Sequence, residues 1–172
     1  MRINFLLAIN FFFCLGFANA ETSDPKSAAP EATAPSLCTG KEKIYFSCVS
    51  EEKIISLCGS ADLGRDQGYL QYRYREAGKP DSVFPDDLSQ SRSAFRYNRY
   101  TRPLTTYLSV YFTDRNNEYE IYDISTSETD SGEEVSSLGV LISPGDIDLE
   151  CSGKVTSHVF DLEDILTHQE QQ

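Results

Sequence analysis

Residues 44–58 read IYFSCVSEEKIISLC. Two runs rich in β-branched and aromatic residues flank a short polar turn at residues 50–52, a pattern that predicts a β-hairpin. Each run carries a cysteine near its end, Cys48 in the first and Cys58 in the second. A redox pair, half of a metal site and two disulfide partners are the three possible roles of these cysteines, and the choice among them indicates the compartment of the protein.

The first twenty residues have the pattern of a secretory signal peptide. Arg2 precedes an apolar run over residues 3–17, and the small-x-small sequence at residues 18–20 is typical of a signal-peptidase site. The apolar run is too short for a membrane span. Three phenylalanines precede Cys14, where a lipid-modified cysteine needs small residues, so Cys14 is interpreted as part of the signal. We therefore expect a periplasmic or secreted mature protein without stable membrane insertion.

The segment after the signal peptide, residues 21–37, is rich in proline and alanine and contains no aromatic residue. Such a composition buries too little apolar area to offset the entropy lost on ordering. We expect a disordered leader here. Residues 38–172 then form a single β-rich domain, whose length suits one hydrophobic core.

Four cysteines remain after the signal peptide: Cys38, Cys48, Cys58 and Cys151. An even number of cysteines in an exported chain predicts disulfides. A zinc site and a thiol redox motif both need close pairs such as C-x-x-C, which this spacing does not provide. We therefore expect two disulfides and neither a metal nor a redox role.

Side-chain alternation along the predicted strands favours one of the three possible disulfide pairings. Cys48 lies on the apolar face of its strand, and Cys151 lies with Ile147 on the apolar face of a later one. In the second hairpin strand, Cys58 lies on the face opposite the apolar face. The pattern favours Cys48–Cys151 and leaves Cys38 to pair with Cys58.

The rest of the chain has the pattern of short strands separated by turns. Further strands are predicted at residues 68–75, 93–100, 105–112, 118–124, 137–142 and 146–151. Apolar residues at helical spacing over 160–166 predict one short C-terminal helix. The predicted fold class is all-β, an antiparallel sandwich or barrel with that helix at its end.

The residue types needed for catalysis are mostly missing. A serine nucleophile needs a base beside it, but only His158 and His168 are present and no G-x-S-x-G motif occurs. The glycines are scattered and form no phosphate-binding loop. We expect no enzyme and no cofactor, with a weak hydrolase that uses two carboxylates as the remaining alternative.

Calcium binding was considered at two acidic stretches. Asp114, Asn116 and Glu118 alternate as in a calcium loop, but the required glycine is missing, so a hairpin turn is favoured. The acidic loop over residues 123–134 is typical of a solvated segment. Whether that loop binds calcium stays open.

Charge is distributed unevenly in this chain of formal net charge −12. Residues 65–115 carry nine basic and six acidic residues together with seven tyrosines, whereas residues 116–172 carry one lysine and fourteen acidic residues. Arginine and tyrosine are enriched in protein interfaces. The candidate binding residues are Arg73, Arg75, Arg96 and Arg99 in the first segment and Glu128, Asp130, Glu133 and Glu134 in the second. Nucleic acid is not an expected partner because phosphate repels so acidic a chain.

The sequences FSC, KIISLC and GYLQYRY, followed by YEIYD, LGVLI and a last cysteine in LEC, resemble small exported, disulfide-linked proteins of Gram-negative bacteria, a group with no assigned activity. These motifs are strands, turns and cysteines, so the resemblance implies no catalytic or binding residue. The general plan is also similar to periplasmic lysozyme inhibitors and periplasmic immunity proteins.

Two functions without catalysis follow as hypotheses. The first is a periplasmic binding protein that inhibits or neutralises a cell-wall hydrolase or toxin, a basic partner attracted by the acidic segment. The second is a cell-envelope accessory or structural domain that binds an envelope protein or glycan through an Arg/Tyr surface.

Overall fold

Alternating apolar and polar residues form β-strands through most of the chain. The computed structural model describes residues 34–127 and 133–169, all of them within the unit Ala32–Gln172. The strands are β1 (Glu42–Ser50), β2 (Lys53–Ser60), β3 (Leu70–Glu76), β4 (Ser82–Phe84), β5 (Arg96–Arg102), β6 (Thr105–Asp114), β7 (Asn117–Ser127), β8 (Glu134–Ser143), β9 (Ile147–Glu150), β10 (Ser152–Ser157) and β11 (Thr167–His168). Two short 3₁₀ helices span Leu88–Ala94 and Val159–Leu162.

The strands form two sheets. The five-stranded sheet has the order β10-β1-β2-β3-β4, and the six-stranded sheet has the order β11-β5-β6-β7-β8-β9. All neighbours are antiparallel except β11, which is parallel to β5. The fold is an all-β sandwich, as the sequence predicted.

The opening stretch of the sequence folds as predicted. β1 and β2 pair as an antiparallel hairpin that closes at Ser50 and Lys53, and Glu51 takes a positive φ in the turn. A bulge between Ile44 and Phe46 shifts the register of β1. Such a bulge inserts one extra residue and bends the strand locally.

The inner faces of the two sheets meet in one hydrophobic core. Phe46, Ile55 and Leu57 come from the five-stranded sheet, and all three are fully buried. The six-stranded sheet contributes Val110 and Ile121, which pair directly across β6 and β7. Burying each such side chain contributes roughly 1.5–3 kcal/mol, so these inward-facing residues hold the sandwich together.

The two disulfides are those that strand alternation favoured. Cys48 in β1 bonds to Cys151, which lies between β9 and β10. Cys38 bonds to Cys58 in β2. Ile147 was expected on the apolar face with Cys151, but it is exposed because it begins the edge strand β9. Two disulfides indicate an oxidising environment outside the cytoplasm.

The ordered domain begins before Cys38, which corrects the predicted boundary of the leader. Ala34 is buried, and the Ser47 hydroxyl on β1 donates a hydrogen bond to the Pro35 carbonyl at 2.6 Å. The Leu37 amide donates to the Ser56 hydroxyl on β2 at 3.0 Å. Residues 34–37 therefore pack on the outer face of the five-stranded sheet, while the rest of the predicted leader and the signal peptide lie outside the described residues.

The predicted C-terminal helix is a single 3₁₀ turn followed by the short strand β11. Leu162 and Leu166 are buried, as expected for its apolar side, but Phe160 is exposed. In the described part of the chain, no helix combines the length and apolar character that crossing a membrane requires.

Candidate binding surface on the six-stranded sheet

Arg73, the first predicted binding residue, has a structural role. Its guanidinium donates two hydrogen bonds to the Glu42 carboxylate, at 2.6 and 2.8 Å, and one to the Leu37 carbonyl at 2.9 Å. The side chains of Arg73 and Glu42 are only 15% and 2% exposed. This ion pair joins β1, β3 and the N-terminal segment, so little of Arg73 remains for a partner.

The electrostatics of Glu42 reflect these contacts. Burial alone would raise the pKa of this carboxyl, but hydrogen bonds from Arg73, the Thr39 backbone and Tyr69 outweigh the burial and lower the pKa to about 2. The Thr39 amide donates at 2.6 Å and the Tyr69 hydroxyl at 2.7 Å. Glu42 is therefore ionised at neutral pH and fully engaged within the fold.

Of the other three predicted arginines, only Arg75 lies on the same strand and face as Arg73, two residues further along β3. Arg75 pairs with Asp81 at 2.6 Å on the five-stranded sheet. Arg96 and Arg99 lie on β5 of the six-stranded sheet, and their separation by three residues puts them on opposite faces of that strand.

Each of the two β5 arginines is fixed by its own contacts. Arg99 pairs with Glu163 at 3.1 Å and lies over the Phe160 ring. Arg96 donates to the backbone carbonyls of Ser93 and Phe95, at 2.7 and 3.0 Å. The four arginines therefore divide between the two sheets.

The predicted acidic set is only partly described. Glu128 and Asp130 lie outside the described residues. Glu133 and Glu134 are exposed at the start of β8, where Glu134 is opposite Ser127 at the end of β7. The acidic connection between β7 and β8 therefore begins and ends at one end of the six-stranded sheet.

A cluster of exposed apolar and aromatic side chains lies at the same end, on the outer face of this sheet. Strand register brings Tyr100 next to Tyr107, and Tyr107 next to Ile124. The adjoining row runs from Arg102 through Thr105 and Thr126 to Val135, beside Leu104 in the β5–β6 turn. We call the set of Tyr100, Arg102, Leu104, Tyr107, Ile124 and Val135 the β5–β6 patch.

Exposure distinguishes this patch from the core. Tyr100, Leu104 and Val135 are 49%, 52% and 50% exposed. The Arg102 guanidinium lies 5.3 Å from the centre of the Tyr107 ring and donates a hydrogen bond to its hydroxyl at 2.6 Å. Exposed apolar side chains gathered at one place are typical of interaction sites.

The backbone holds the patch close to the acidic connection. The Ser127 amide donates to the Leu104 carbonyl at 2.8 Å, which ties the β5–β6 turn to the end of β7. Leu104 has a φ of 67°, an uncommon left-handed conformation for a leucine. The β5–β6 patch therefore has Arg102 at one side and Glu134, next to Val135, at the other, with two threonines in the row between them. Apolar and aromatic residues with charges at the rim are typical of a protein interface.

The rest of this outer face carries a network of hydrogen-bonded side chains, which we call the platform. The hydroxyls of Ser109 and Tyr111 both donate to one oxygen of Glu120, at 2.7 and 2.9 Å. The Tyr122 hydroxyl donates to Asp148 at 2.9 Å. Burial raises the pKa of Tyr111 and of Tyr122, so both stay neutral donors.

Position 139 on β8 requires a glycine because the Tyr122 side chain lies against it. A Cβ atom at Gly139 would lie 2.5 Å from the Tyr122 hydroxyl and 2.8 Å from the Leu149 carbonyl oxygen. Only a residue without a side chain allows the ring to lie against β8. The platform beside the patch is thus firmly packed.

The alternating residues considered for calcium binding and the two histidines considered for catalysis lie at a hairpin turn and on the surface, respectively. Asp114 and Asn117 close the β6–β7 hairpin, and Arg115 in its turn has a positive φ. This stretch therefore forms the predicted hairpin turn. Among the described residues, no group of three or more potential metal ligands occurs. The side chains of His158 and His168 are exposed, and in the described part of the chain neither is hydrogen-bonded to a serine hydroxyl.

The geometry defines a class, a disulfide-linked β-sandwich. In the described part of the chain, residues 34–37 lie on the outer face of the five-stranded sheet, the covered face, and the outer face of the six-stranded sheet, the open face, exposes the β5–β6 patch. Comparison with protein-family models, with curated proteins and with solved structures gave no match. The resemblance to small exported proteins of Gram-negative bacteria therefore stays a prediction. Sequence reasoning missed Leu104 and Val135 because strand register, and no local motif, brings them together.

Proposed function

We propose that the protein is a non-catalytic, exported binding protein of the periplasm that docks a protein partner on the β5–β6 patch. The observation that carries this proposal is the half-exposed group of Tyr100, Leu104 and Val135 around Tyr107. Tyrosine and arginine are among the residues that supply most of the binding energy in protein interfaces, and Tyr100, Tyr107 and Arg102 belong to this patch. No cofactor is part of this function.

The charges around the patch favour a basic partner. Glu133 and Glu134 are exposed next to the apolar group, within an acidic chain of formal net charge −12. A negative rim attracts a positively charged partner and raises the association rate. A basic cell-wall hydrolase or toxin, which the protein would inhibit or neutralise by occluding its surface, has the matching chemistry.

The experiment is a capture from envelope extract with matched variants as bait. The patch variant combines Leu104→Ser with Val135→Ser. The control variant combines Val83→Ser with Ile147→Ser, which removes two other exposed apolar side chains on β4 and β9. We expect a partner that the wild type and the control retain and that the patch variant loses.

Purified components then test the direction of the effect. The captured partner, if it is a hydrolase or toxin, should lose activity on addition of one equivalent of wild-type protein and keep it with the patch variant. Replacing Glu133 and Glu134 by glutamine should lower the association rate more than it raises the dissociation rate. Equal capture by the patch variant and the wild type would contradict the assignment of this surface.

A further inference from the structure

A concave region lies at the opposite end of β6 and β7 from the β5–β6 patch. This aromatic cleft has a volume of about 400 Å³ and is lined by Phe84, Arg96, Phe112, Glu118, Tyr119 and Gln169, among others. The volume falls within the range of roughly 300–1,000 Å³ that small-ligand sites occupy. The cleft therefore has room for a small molecule.

Aromatic rings form the apolar side of this cleft. Phe112 stacks on Tyr119 with ring centres 4.6 Å apart and planes at 4°. Phe84 stacks on Phe112 with centres 4.9 Å apart, and Phe95 meets Phe112 edge-on at 5.3 Å. Phe95 and Phe112 are buried, whereas Phe84 and Tyr119 are half-buried. Because the buried rings hold these two in place, Phe84 and Tyr119 form a rigid apolar wall that loses little entropy when a ligand packs on it.

Opposite charges flank the aromatic surface. Arg96 is held by two backbone carbonyls, and among the described residues no carboxylate pairs with it. Glu118 is exposed and likewise lacks an ion pair or hydrogen-bond partner within the described ranges. Both charges are therefore available to a ligand.

Strand register gives the separation of these charges. Arg96 is opposite Tyr111 on β6, and Glu118 is opposite Thr113 on the same strand. The two residues therefore differ by two strand spacings across the sheet and two residues along it. With about 4.8 Å per strand and about 3.4 Å per residue, their backbones lie about 12 Å apart.

We propose that the aromatic cleft binds a short peptide of two or three residues with free termini and an apolar side chain. Arg96 would hold the terminal carboxylate through its planar donors, and Glu118 would hold the terminal ammonium. The apolar side chain packs against Phe84 and Tyr119, the half-buried rings that line the cleft. A single amino acid is too short, because its two charges lie only ~3 Å apart, whereas two or three extended residues span ~7–10 Å.

The test is a titration of the mature protein with the tripeptide Ala-Phe-Ala, followed by calorimetry and by NMR chemical shifts. Matched peptides carry an N-terminal acetyl group or a C-terminal amide. We expect the free tripeptide to bind at millimolar concentration or below and each blocked peptide to bind at least tenfold more weakly. Saturable binding by glucose or N-acetylglucosamine with equal or higher affinity would overturn the assignment to a peptide.

Protein variants locate each contact. In Arg96→Gln, the acid and the amide of the peptide should bind equally, because the partner of the carboxylate is gone. In Glu118→Gln, the free and acetylated N-termini should bind equally. The controls Arg102→Gln and Glu134→Gln, at the other end of the sheet, should bind the free tripeptide as the wild type does.

Besides equal or tighter sugar binding, two outcomes would overturn the proposal. One is the absence of saturable binding of the free tripeptide at millimolar concentration. The other is binding in which Arg96→Gln still discriminates the acid from the amide as the wild type does. Neither outcome bears on the β5–β6 patch, because that patch is tested with a protein partner and with different variants.

Discussion

The two outer faces of the sandwich use the same residue types for opposite purposes. On the five-stranded sheet, Arg73 and Tyr69 both bind Glu42, and residues 34–37 lie over the strands. On the six-stranded sheet, Arg102 and Tyr100 remain exposed, and no described segment covers them. An arginine and a tyrosine therefore indicate an interface only where the fold has not already supplied their partners.

The largest expected loss of stability follows removal of the disulfide that joins β1 to the residue between β9 and β10. Cys48–Cys151 closes a separation of 103 residues, whereas Cys38–Cys58 closes 20. In the chain-entropy model, removing the first by C48A/C151A should cost about 5 kcal/mol and removing the second by C38A/C58A about 3 kcal/mol. Urea unfolding measures both, and a larger loss for C38A/C58A would show that the covered face matters more than the link between the sheets.

The next effect separates two neighbouring arginines. Arg73→Ala leaves the buried Glu42 carboxylate without its ion-pair partner and should destabilise by about 3 kcal/mol. Arg75→Ala breaks only an exposed pair with Asp81 and should cost under about 1 kcal/mol. Denaturant unfolding of the two variants provides the comparison, and equal losses would contradict the buried role of Arg73.

Acid should lower the stability of the folded protein through protonation of Glu42, which lies on the covered face. The pKa of this carboxyl is lowered from 4.5 to about 2 in the folded protein. Its contribution to stability is therefore fully present above pH 4.5 and is lost as the pH falls toward 2. The difference in unfolding free energy between the wild type and Glu42→Gln should shrink over this range, and a difference that stays constant would mean that Glu42 does not titrate there.

A smaller effect is expected from shortening the N-terminal segment. A chain that starts at Leu37 lacks the buried Ala34 and the hydrogen bond from Ser47 to Pro35. Relative to a chain that starts at Ala34, it should lose about 1 kcal/mol, because one hydrogen bond contributes about 1 kcal/mol and the Ser47 hydroxyl keeps the Ile55 carbonyl and the Ser56 hydroxyl as partners. Thermal unfolding compares the two chains, and identical midpoints would mean that this segment adds nothing to the covered face.

The smallest effect on stability is expected on the open face. Leu104→Ser and Val135→Ser each remove a half-exposed side chain and should change stability by under about 0.5 kcal/mol. The same substitutions should abolish partner capture, so folding and binding are separated. A loss above about 1 kcal/mol for either variant would indicate that these side chains serve the fold.

The fold could be predicted from the sequence because apolar and polar residues alternate locally along its strands. Strand alternation placed Cys48 and Cys58 on opposite faces of the hairpin, and the disulfides follow that placement. The strand β10 was missed because Ser152–Ser157 contains one large apolar residue, Val155, and so has no alternating pattern. Residues 34–37 were missed because their contacts depend on hydroxyls of distant strands.

The candidate site was harder to predict than the fold. Arg73 and Arg75 both alternate with tyrosines in the sequence, and only the position of Glu42 on β1 makes one buried and the other exposed. Val135 lies at the same end of the sheet as Leu104, two strands away, through two strand pairings and one backbone hydrogen bond. Such long-range proximity leaves no local signal in a single sequence.

The order of the disulfides along the chain has a consequence for biogenesis. The first cysteine bonds to the third and the second to the fourth, Cys38 to Cys58 and Cys48 to Cys151. Oxidation of neighbouring thiols as the chain enters an oxidising compartment from its N-terminus would join Cys38 to Cys48, a non-native pair. Cys48 must therefore stay reduced, or be released by thiol–disulfide exchange, until almost the whole chain has arrived. Production of this protein should thus depend on an enzyme that rearranges disulfides as well as on one that forms them.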